Sequence, residues 1–580
     1  LPSGRDVLLR TIRSQARRLA AGSLLGAGHQ AGEALVPVII GLAIDQAVAD
    51  GDWGRLALWL AVLAAVYVGL SFSYRHGARL GERAAEEAAH DLRAEVVARV
   101  LHPGGGADDG RLPGAVTGIA TEDVRRVGAV VMAVLAGVAA LSGLVVAGAM
   151  LLRTSVELGL IVLAGTPALL WLGHLLSRPL ERRSAVEQEQ AANASGLAAD
   201  LVAGLRVLKG LGAERAAIER YRRTSRVSLA ATLRAARAEA LQNGVVLALT
   251  GAFIALIALA GGAFATGGAI TLGQLVSAVG LALFLQGPLQ LFAWVNAEFA
   301  QGRASAARVA ALLSAPYAVP AGDRELPEPV AGAIRLRSVT HDRLRDLDLE
   351  IAPGELVGVA ATDPAAAACL VRCLGRQTDP ESGTVELDGI PLRDLDPARV
   401  REAVLVAEHD AVLFEGTITT NTTPPPDPAT ARHTAAGEAR GGAAGGNARA
   451  AGPGGGVVAA ALEAAGAGDL PPDTPVSERG GSLSGGQRQR VALARALAAA
   501  RPVLVLHDPT TAVDAVTETR IAQGVRRLRR DRTTVIVTTS PALLAVTDRV
   551  LLLHEGRIAD AAPHADLLRR NPGYQAAVLA

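Results

Sequence analysis

Leu483-Ser484-Gly485-Gly486-Gln487, followed by Arg488-Gln489-Arg490 and the run Val491-Ala492-Leu493-Ala494-Arg495-Ala496, form a stretch suited to meeting an anion. Two adjacent glycines strip the bulk from a turn, so backbone N–H groups can approach a ligand closely. The Ala-, Leu- and Arg-rich residues behind them read as a helix, whose N-terminus adds partial positive charge. A bare Ser-Gly-Gly turn would be no more than the start of an amphipathic helix. The full run LSGGQRQRVALARAL asks for more. The complementary chemistry, a lysine bridging phosphates in a G-x-x-x-x-G-K-[ST] loop, is missing from the whole chain, because Lys209 is its only lysine.

The elements that must position these residues differ sharply between the two halves. Length alone, 580 residues, allows about three or four domains. Mean hydropathy is +0.30, charged residues make up 19%, and net charge is +1, which gives no support to a nucleic-acid partner. Cys369 and Cys373, four apart on one helix face, suit neither a disulfide framework nor a zinc site, and read as reduced, buried small hydrophobes. No metal ligands are expected from the chain's own side chains. The sequence starts at Leu1 without an initiator methionine, and no cleavable signal sequence is visible.

Leu1–Leu19 alternates apolar residues with Arg10, Arg13, Arg17 and Arg18, as a helix on a membrane surface or a solvated helix would. Apolar runs of bilayer length follow near Ala21–Val48, Leu56–Phe72, Val127–Leu152, Leu158–Leu176, Val245–Ala265 and Leu272–Val295. The arginine-rich segments Arg75–Arg126 and Arg178–Arg237 are expected on the cytoplasmic side. The short connections Ala49–Gly54, Arg153–Glu157 and Thr266–Thr271 are expected outside. That makes six spans with both termini in the cytoplasm. The two cytoplasmic segments are helix-prone and should extend the spans as long helices, broken at Gly104-Gly105-Gly106 with Arg111-Leu112-Pro113-Gly114, and at 204–209. After a connection at Ala304–Pro320, short strands alternate with helices from Ile334 onward, the pattern of an α/β domain with a largely parallel core sheet. Residues 422–457 form a Gly/Ala/Pro-rich insertion that reads as a disordered loop, with a regulatory role as the alternative.

The signature run, taken with the phrases PVIIGLAIDQAV, RLPGAVTGIATEDVRRV and GLRVLKGLGAE, which precede it in that order, resembles the exporter-type ATP-binding cassette (ABC) transporters. The resemblance spans nearly the whole chain. It implies an all-α six-span transmembrane domain with long cytoplasmic helical extensions over 1–320, followed by an α/β P-loop-like nucleotide-binding domain over 331–580. It also implies an integral cell-membrane protein that uses ATP and Mg2+.

Against the family pattern the catalytic inventory is depleted. After the strand Leu356–Val359, Ala361 replaces the first phosphate-loop glycine and Pro364 the next, Ala367 stands where lysine belongs, and Ala368 replaces the magnesium-binding hydroxyl. The strand Val503–Leu506 ends in His507-Asp508 where the family has Asp-Glu; imidazole is a poorer magnesium ligand than carboxylate. Asp508 is one methylene shorter than the usual glutamate base. His409 occupies the glutamine-loop position, Thr539 the switch-histidine position, and only His341 is available where an aromatic residue would stack adenine. By contrast Glu478-Arg479-Gly480, the signature Leu483–Gln487 and the loop Thr510-Thr511-Ala512-Val513-Asp514 are intact.

In ABC dimers each ATP lies between one subunit's phosphate loop and the other's signature. The resemblance therefore implies a heterodimer. This chain would lend Ser484, Gly485, Gly486, Gln487 and Asp514 in trans to ATP held mainly by a second ABC half with intact Walker motifs, with Leu483 beside them, while its own site stays inactive. Polar residues in the spans, His29 and Glu33 four apart on one face and Gln286 and Asn296 in the last span, mark a substrate path or else interhelical hydrogen bonds and headgroup contacts. Drug, lipid, peptide and siderophore substrates stay open, as does import versus export. The alternatives are a non-transporting pseudo-ATPase that acts as a membrane regulator or interaction subunit, and an active homodimer with an unusual loop.

Overall fold

The structure is a computed structural model describing residues 2–49, 51–108, 110–409, 412–424 and 455–579, so most of the 422–457 insertion lies outside the described residues. The chain divides into two compact units: Leu1–Ala98 with Arg111–Ser314, and Arg99–Gly110 with Ala315–Ala580.

The first unit is helical. It contains α1 (Gly4–Ser14), α2 (Ala16–Ala43), α3 (Trp53–Val100), α4 (Pro113–Gly118), α5 (Val124–Thr154), α6 (Val156–Ala203), α7 (Leu205–Gly210), α8 (Glu214–Thr266) and α9 (Leu272–Leu313). Among the described residues, five helices are long and apolar enough to cross a membrane: Ala16–Val48, Trp53–Val100, Gly114–Thr154, Glu214–Thr266 and Leu272–Leu313. They contain five of the six expected spans. The remaining one, Leu158–Leu176, falls on α6, whose apolar part among the described residues is the shorter Val156–Leu172. At 48 residues, α3 is about 70 Å long, more than twice the roughly 30 Å of bilayer hydrocarbon, so its polar half extends well past its apolar half without a break.

Helix α1 packs one side against the rest of the unit. Val7, Leu8 and Thr11 are buried, and the helix is separated from α2 at Gln15. Arg10 pairs with Glu95 at 2.8 Å, and Arg18 pairs with Glu87, so part of the basic face is taken up by carboxylates of α3. Tight helix contacts elsewhere come from small residues, which let backbones approach where lipid offers no hydrophobic drive. A Cβ on Gly41 of α2 would lie 2.0 Å from Ser277 Oγ and 2.2 Å from Gly273 O, both on α9. Just beyond, α2 passes into a π-helical turn, Ile44–Val48. There Asp45 accepts from the Gly273 amide at 2.8 Å and from the Thr271 hydroxyl. The carboxylate thus satisfies N-terminal donors of α9 that no intrahelical acceptor reaches.

Among its described residues the second unit carries twelve strands: β1 (Ile334–His341), β2 (Leu344–Ile351), β3 (Leu356–Ala361), β4 (Ser382–Leu387), β5 (Ile390–Pro391), β6 (Val404–Ala407), β7 (Gly416–Thr417), β8 (Pro475–Val476), β9 (Val503–His507), β10 (Thr534–Val537), β11 (Arg549–His554) and β12 (Arg557–Ala562). The core sheet runs β12-β11-β3-β10-β9-β6. Its pairings are parallel except for β11 with β12. Runs such as VLVL and TVIV are buried on both faces, which is what a parallel sheet covered by helices demands. An antiparallel sheet, β2-β1-β4-β5, packs its buried side into the same core cluster. Cys369 and Cys373 are free and buried as expected, and burial pushes the Cys373 thiol up to about 12.

Candidate functional site

The signature residues occupy the start of a 14-residue helix, Gly485–Ala498. Ser484 is its N-cap: the Ser484 hydroxyl accepts from the Gln487 amide at 3.2 Å, and the Gln487 side chain accepts from the Ser484 amide at 2.9 Å. This reciprocal box fixes the first turn and leaves the amides of Gly485 and Gly486 among those with no acceptor inside the helix. Leu483 is buried and anchors the turn.

Gly486 is required by close approach, since a Cβ there would stand 2.7 Å from Ala512 O, whereas a Cβ on Gly485 would meet only Ala512 Cβ at 3.6 Å. The signature helix and the 510–514 loop are further joined by Gln489, which donates to Thr511 Oγ1 at 2.6 Å and accepts from the Ala512 amide at 2.8 Å. Gln489 was not among the expected site residues; its place one turn into the signature helix was the available signal. Asp514 caps the next helix, Ala515–Leu528, by accepting from the Thr517 amide at 3.0 Å, and that hydrogen bond holds its carboxyl below the usual range. Ser484, Gly486, Gln487, Arg490, Ala512 and Asp514 line one groove of about 1020 Å³, together with Arg520 and Arg527. Exposed helix-start amides beside guanidinium groups suit a polyanion.

The positions aligned with a phosphate loop are built differently. Only Thr362 and Asp363 separate β3, which ends at Ala361, from helix α10 (Pro364–Leu374). Asp363 is the N-cap, accepting from the Ala365 amide at 2.9 Å, and Pro364 occupies the first helical position. The carboxylate therefore sits at the helix N-terminus, where a phosphate would need to be, and proline supplies no amide. Ala367 is 5% exposed and belongs to the core beneath the sheet, so a side chain there does not look out on a ligand. Ala368 is half-buried.

His507 ends β9, Asp508 follows with φ +44°, and His507 Nε2 lies 4.0 Å from Asp508 Oδ2. The His409 ring centre is 6.4 Å from that of His507, so these two substituted positions do share one face. Thr539 is exposed just after β10. Among the described residues this face offers a helix N-terminus occupied by Asp363, a histidine and one aspartate at the end of β9, and no lysine. The signature face does fit the anionic part of a nucleotide.

In the helical unit His29 and Glu33 do face one another, with Nε2 3.7 Å from Oε2. The His29 Nδ1 is 3.1 Å from Leu70 O, and the Tyr74 ring centre lies 5.4 Å away. Gln30 joins them, donating to Glu33 at 3.3 Å. Its own Oε1 is buried without a hydrogen-bond partner, as is Nε2 of Gln286. Asn296 is exposed and no contact brings it to this group.

Comparison with known proteins agrees with this arrangement. The family profile described as ABC transporter transmembrane region matches residues 19–289, and that described as ABC transporter matches 344–511. A multidrug efflux ATP-binding/permease protein of Mycobacterium tuberculosis is 30% identical over 554 residues, covering 93% of this chain and 44% of that protein. The chain thus spans less than half the length of this mycobacterial relative. An ATP-dependent lipid A-core flippase of Burkholderia thailandensis is 27% identical over 578 residues, covering 96% and 92%. A solved bacterial Atm1-family ABC exporter with ATP bound has the same fold, with a TM-score of 0.73 at 24% identity over 97% of this chain and 98% of that one. Helical and α/β units in this order, the capped signature turn and both profiles converge: the chain belongs to the ABC transporters of exporter architecture, with transmembrane and nucleotide-binding regions fused in one polypeptide.

Proposed function

We propose that this chain is the degenerate member of a heterodimeric ABC exporter, whose ATP hydrolysis drives substrate across the cell membrane. The observation that carries this reading is the contrast between the two faces of one domain. The signature turn is capped, braced by Gln489 and open to an anion, while the aligned phosphate-loop position is closed by Asp363, Pro364 and a buried Ala367. A homodimer would pair two closed loops with two open signatures and hold no nucleotide firmly. With a partner that brings an intact phosphate loop, Walker B carboxylates and a switch histidine, one of the two composite sites is complete. The amides of Gly485 and Gly486 and the Ser484 side chain would then meet the γ-phosphate of the partner's ATP, and the other site would remain inert. Six spans, with the nucleotide-binding domain and both termini in the cytoplasm, complete the reading; the domains divide near 1–320 and 331–580. Relatives bearing multidrug efflux and lipid flippase names support export of an amphiphile.

The test uses the complex isolated through a tag on this chain, with assembly checked by size exclusion and steady-state ATPase as the readout. Gly485→Asp is the informative signature variant, because a side chain fits there, whereas Gly486→Asp would collide with Ala512. Its carboxylate facing the γ-phosphate should lower turnover about 100-fold or more. Asp508→Asn keeps a residue that tolerates positive φ and should change turnover less than about threefold. Loss of turnover in Asp508→Asn with tolerance of Gly485→Asp would reverse the assignment of the two faces. No ATPase in any complex would favour the pseudo-ATPase regulator.

A further inference from the structure

The first cytoplasmic break, Arg99–Gly110, folds with the nucleotide-binding unit although the helical unit flanks it on both sides in sequence. Its contacts converge on the segment 315–319 that follows α9. Arg99 is 8% exposed. From Nη2 it donates to Ala315 O at 2.7 Å and Pro316 O at 3.2 Å, and from Nη1 to Gly105 O at 3.0 Å. Its guanidinium carbon stacks 4.4 Å from the centre of the Tyr317 ring, and the His102 ring lies 4.5 Å from the same ring. The Val319 amide donates to Gly104 O at 3.1 Å. Gly106 has φ +82°, and a Cβ there would come within 2.3 Å of Pro316 O, so the two backbones meet only because this residue is glycine.

A second arginine holds the next residues. Arg376, 1% exposed, donates to Pro320 O at 2.7 Å, to Arg393 O at 3.0 Å and to Leu395 O. The amides of Gly322 and Arg324 donate to Leu395 O and Asp394 O, both at 2.9 Å. Residues 315–324 are therefore fixed along their length. A free linker of this length would absorb a displacement by changing its own shape. A linker held by charge-assisted hydrogen bonds from two buried arginines, and carrying two prolines, has few shapes to change into.

We propose that Arg99 is a positioning residue for transport: it locks the linker to the first cytoplasmic loop, so the chain leaving α3 and the chain leaving α9 enter the nucleotide-binding unit as one strut. This rests on the reading that the assembled complex hydrolyses ATP to move substrate. Arg99 touches no nucleotide position, so its removal should separate hydrolysis from movement in the helical unit.

The experiment uses the tagged complex carrying a reporter cysteine at Trp53, which is 82% exposed at the start of α3; both native cysteines are buried. Maleimide labelling of the reporter is compared without nucleotide and with ATP plus vanadate, and ATPase is measured on the same samples. With Arg99 intact, the labelling rate should change with nucleotide. In Arg99→Ala, ATPase should stay within about twofold while the labelling change shrinks about fivefold or more. Arg99→Lys, which retains charge but reaches fewer carbonyls, should recover part of it. Gly106→Ala drives the loop off the linker by a different route, leaving Arg99 in place, and should reproduce the uncoupling; it decides the matter if Arg99→Ala does not assemble. The proposal is overturned if either variant keeps the full labelling change, if hydrolysis falls in step with it, or if the unmodified complex hydrolyses ATP with no labelling change. A complex that hydrolyses no ATP overturns the functional reading as well.

Discussion

Position 367 shows how little a single aligned residue reveals without its surroundings. In the family pattern a lysine there bridges phosphates; in this chain alanine occupies it at 5% exposure inside the core beneath the sheet. Restoring the lysine should therefore not restore the site. Ala367→Lys would force an ammonium among Leu370, Cys373 and the sheet, or distort α10 to release it. The expected outcome is no gain in ATP affinity and a loss of stability of about 3 kcal/mol or more, the range for burying an unpaired charge. Thermal unfolding of the purified chain with and without Mg2+–ATP checks both. A lysine variant as stable as wild type that gains a nucleotide-dependent rise in Tm would show that the loop can still open.

Among the elements, the contact of α2 with α9 is closed tightly where the end of α2 meets the start of α9 around Gly273. Asp45 satisfies donors at the start of α9, and Gly41 lets the backbones meet, with Ser277 also donating to Gly273 O at 2.8 Å. Gly41→Val would set a branched side chain where even a Cβ finds atoms at 2.0 and 2.2 Å, one of them a backbone oxygen that cannot rotate away. Overpacking of this kind costs about 1–3 kcal/mol. The variant should unfold at lower temperature in detergent, whereas Gly28→Ala, with open space around its Cβ, should not. Equal unfolding temperatures for the two would mean that α2 and α9 are free to separate.

For the whole molecule, dependence on a second chain is the property to measure. Purified alone and reconstituted, this chain should show no ATPase above background, and its affinity for Mg2+–ATP should be weaker than about 1 mM, because the signature face by itself meets only part of the nucleotide and has no phosphate loop opposite to hold the rest. Co-expression with the right partner should restore turnover. Saturable micromolar binding, or robust hydrolysis by the single chain freed of any partner, would exclude the division of labour proposed here.

The family could be read from the sequence because its evidence is local. The LSGGQ run, the long apolar stretches and the alternation of strands with helices each lie within a few dozen residues, and the periodicities of helix and strand are enforced by backbone geometry. The loss of the phosphate lysine was equally plain, since the chain has only one lysine. Thr362-Asp363-Pro364 followed by alanines also carried a local message, an N-cap and first-turn proline, but alignment to a phosphate loop masked it.

Tertiary structure alone decided three things. It buried Ala367 in the core. It paired Gln489 with the 510–514 loop, twenty-odd residues away in sequence. And it joined Arg99 to Ala315 across 216 residues of chain. The physical reason is common to all three. Which polar group meets which carbonyl, and which alanine faces inward, depends on how separate elements pack, and no spacing within a single element encodes that.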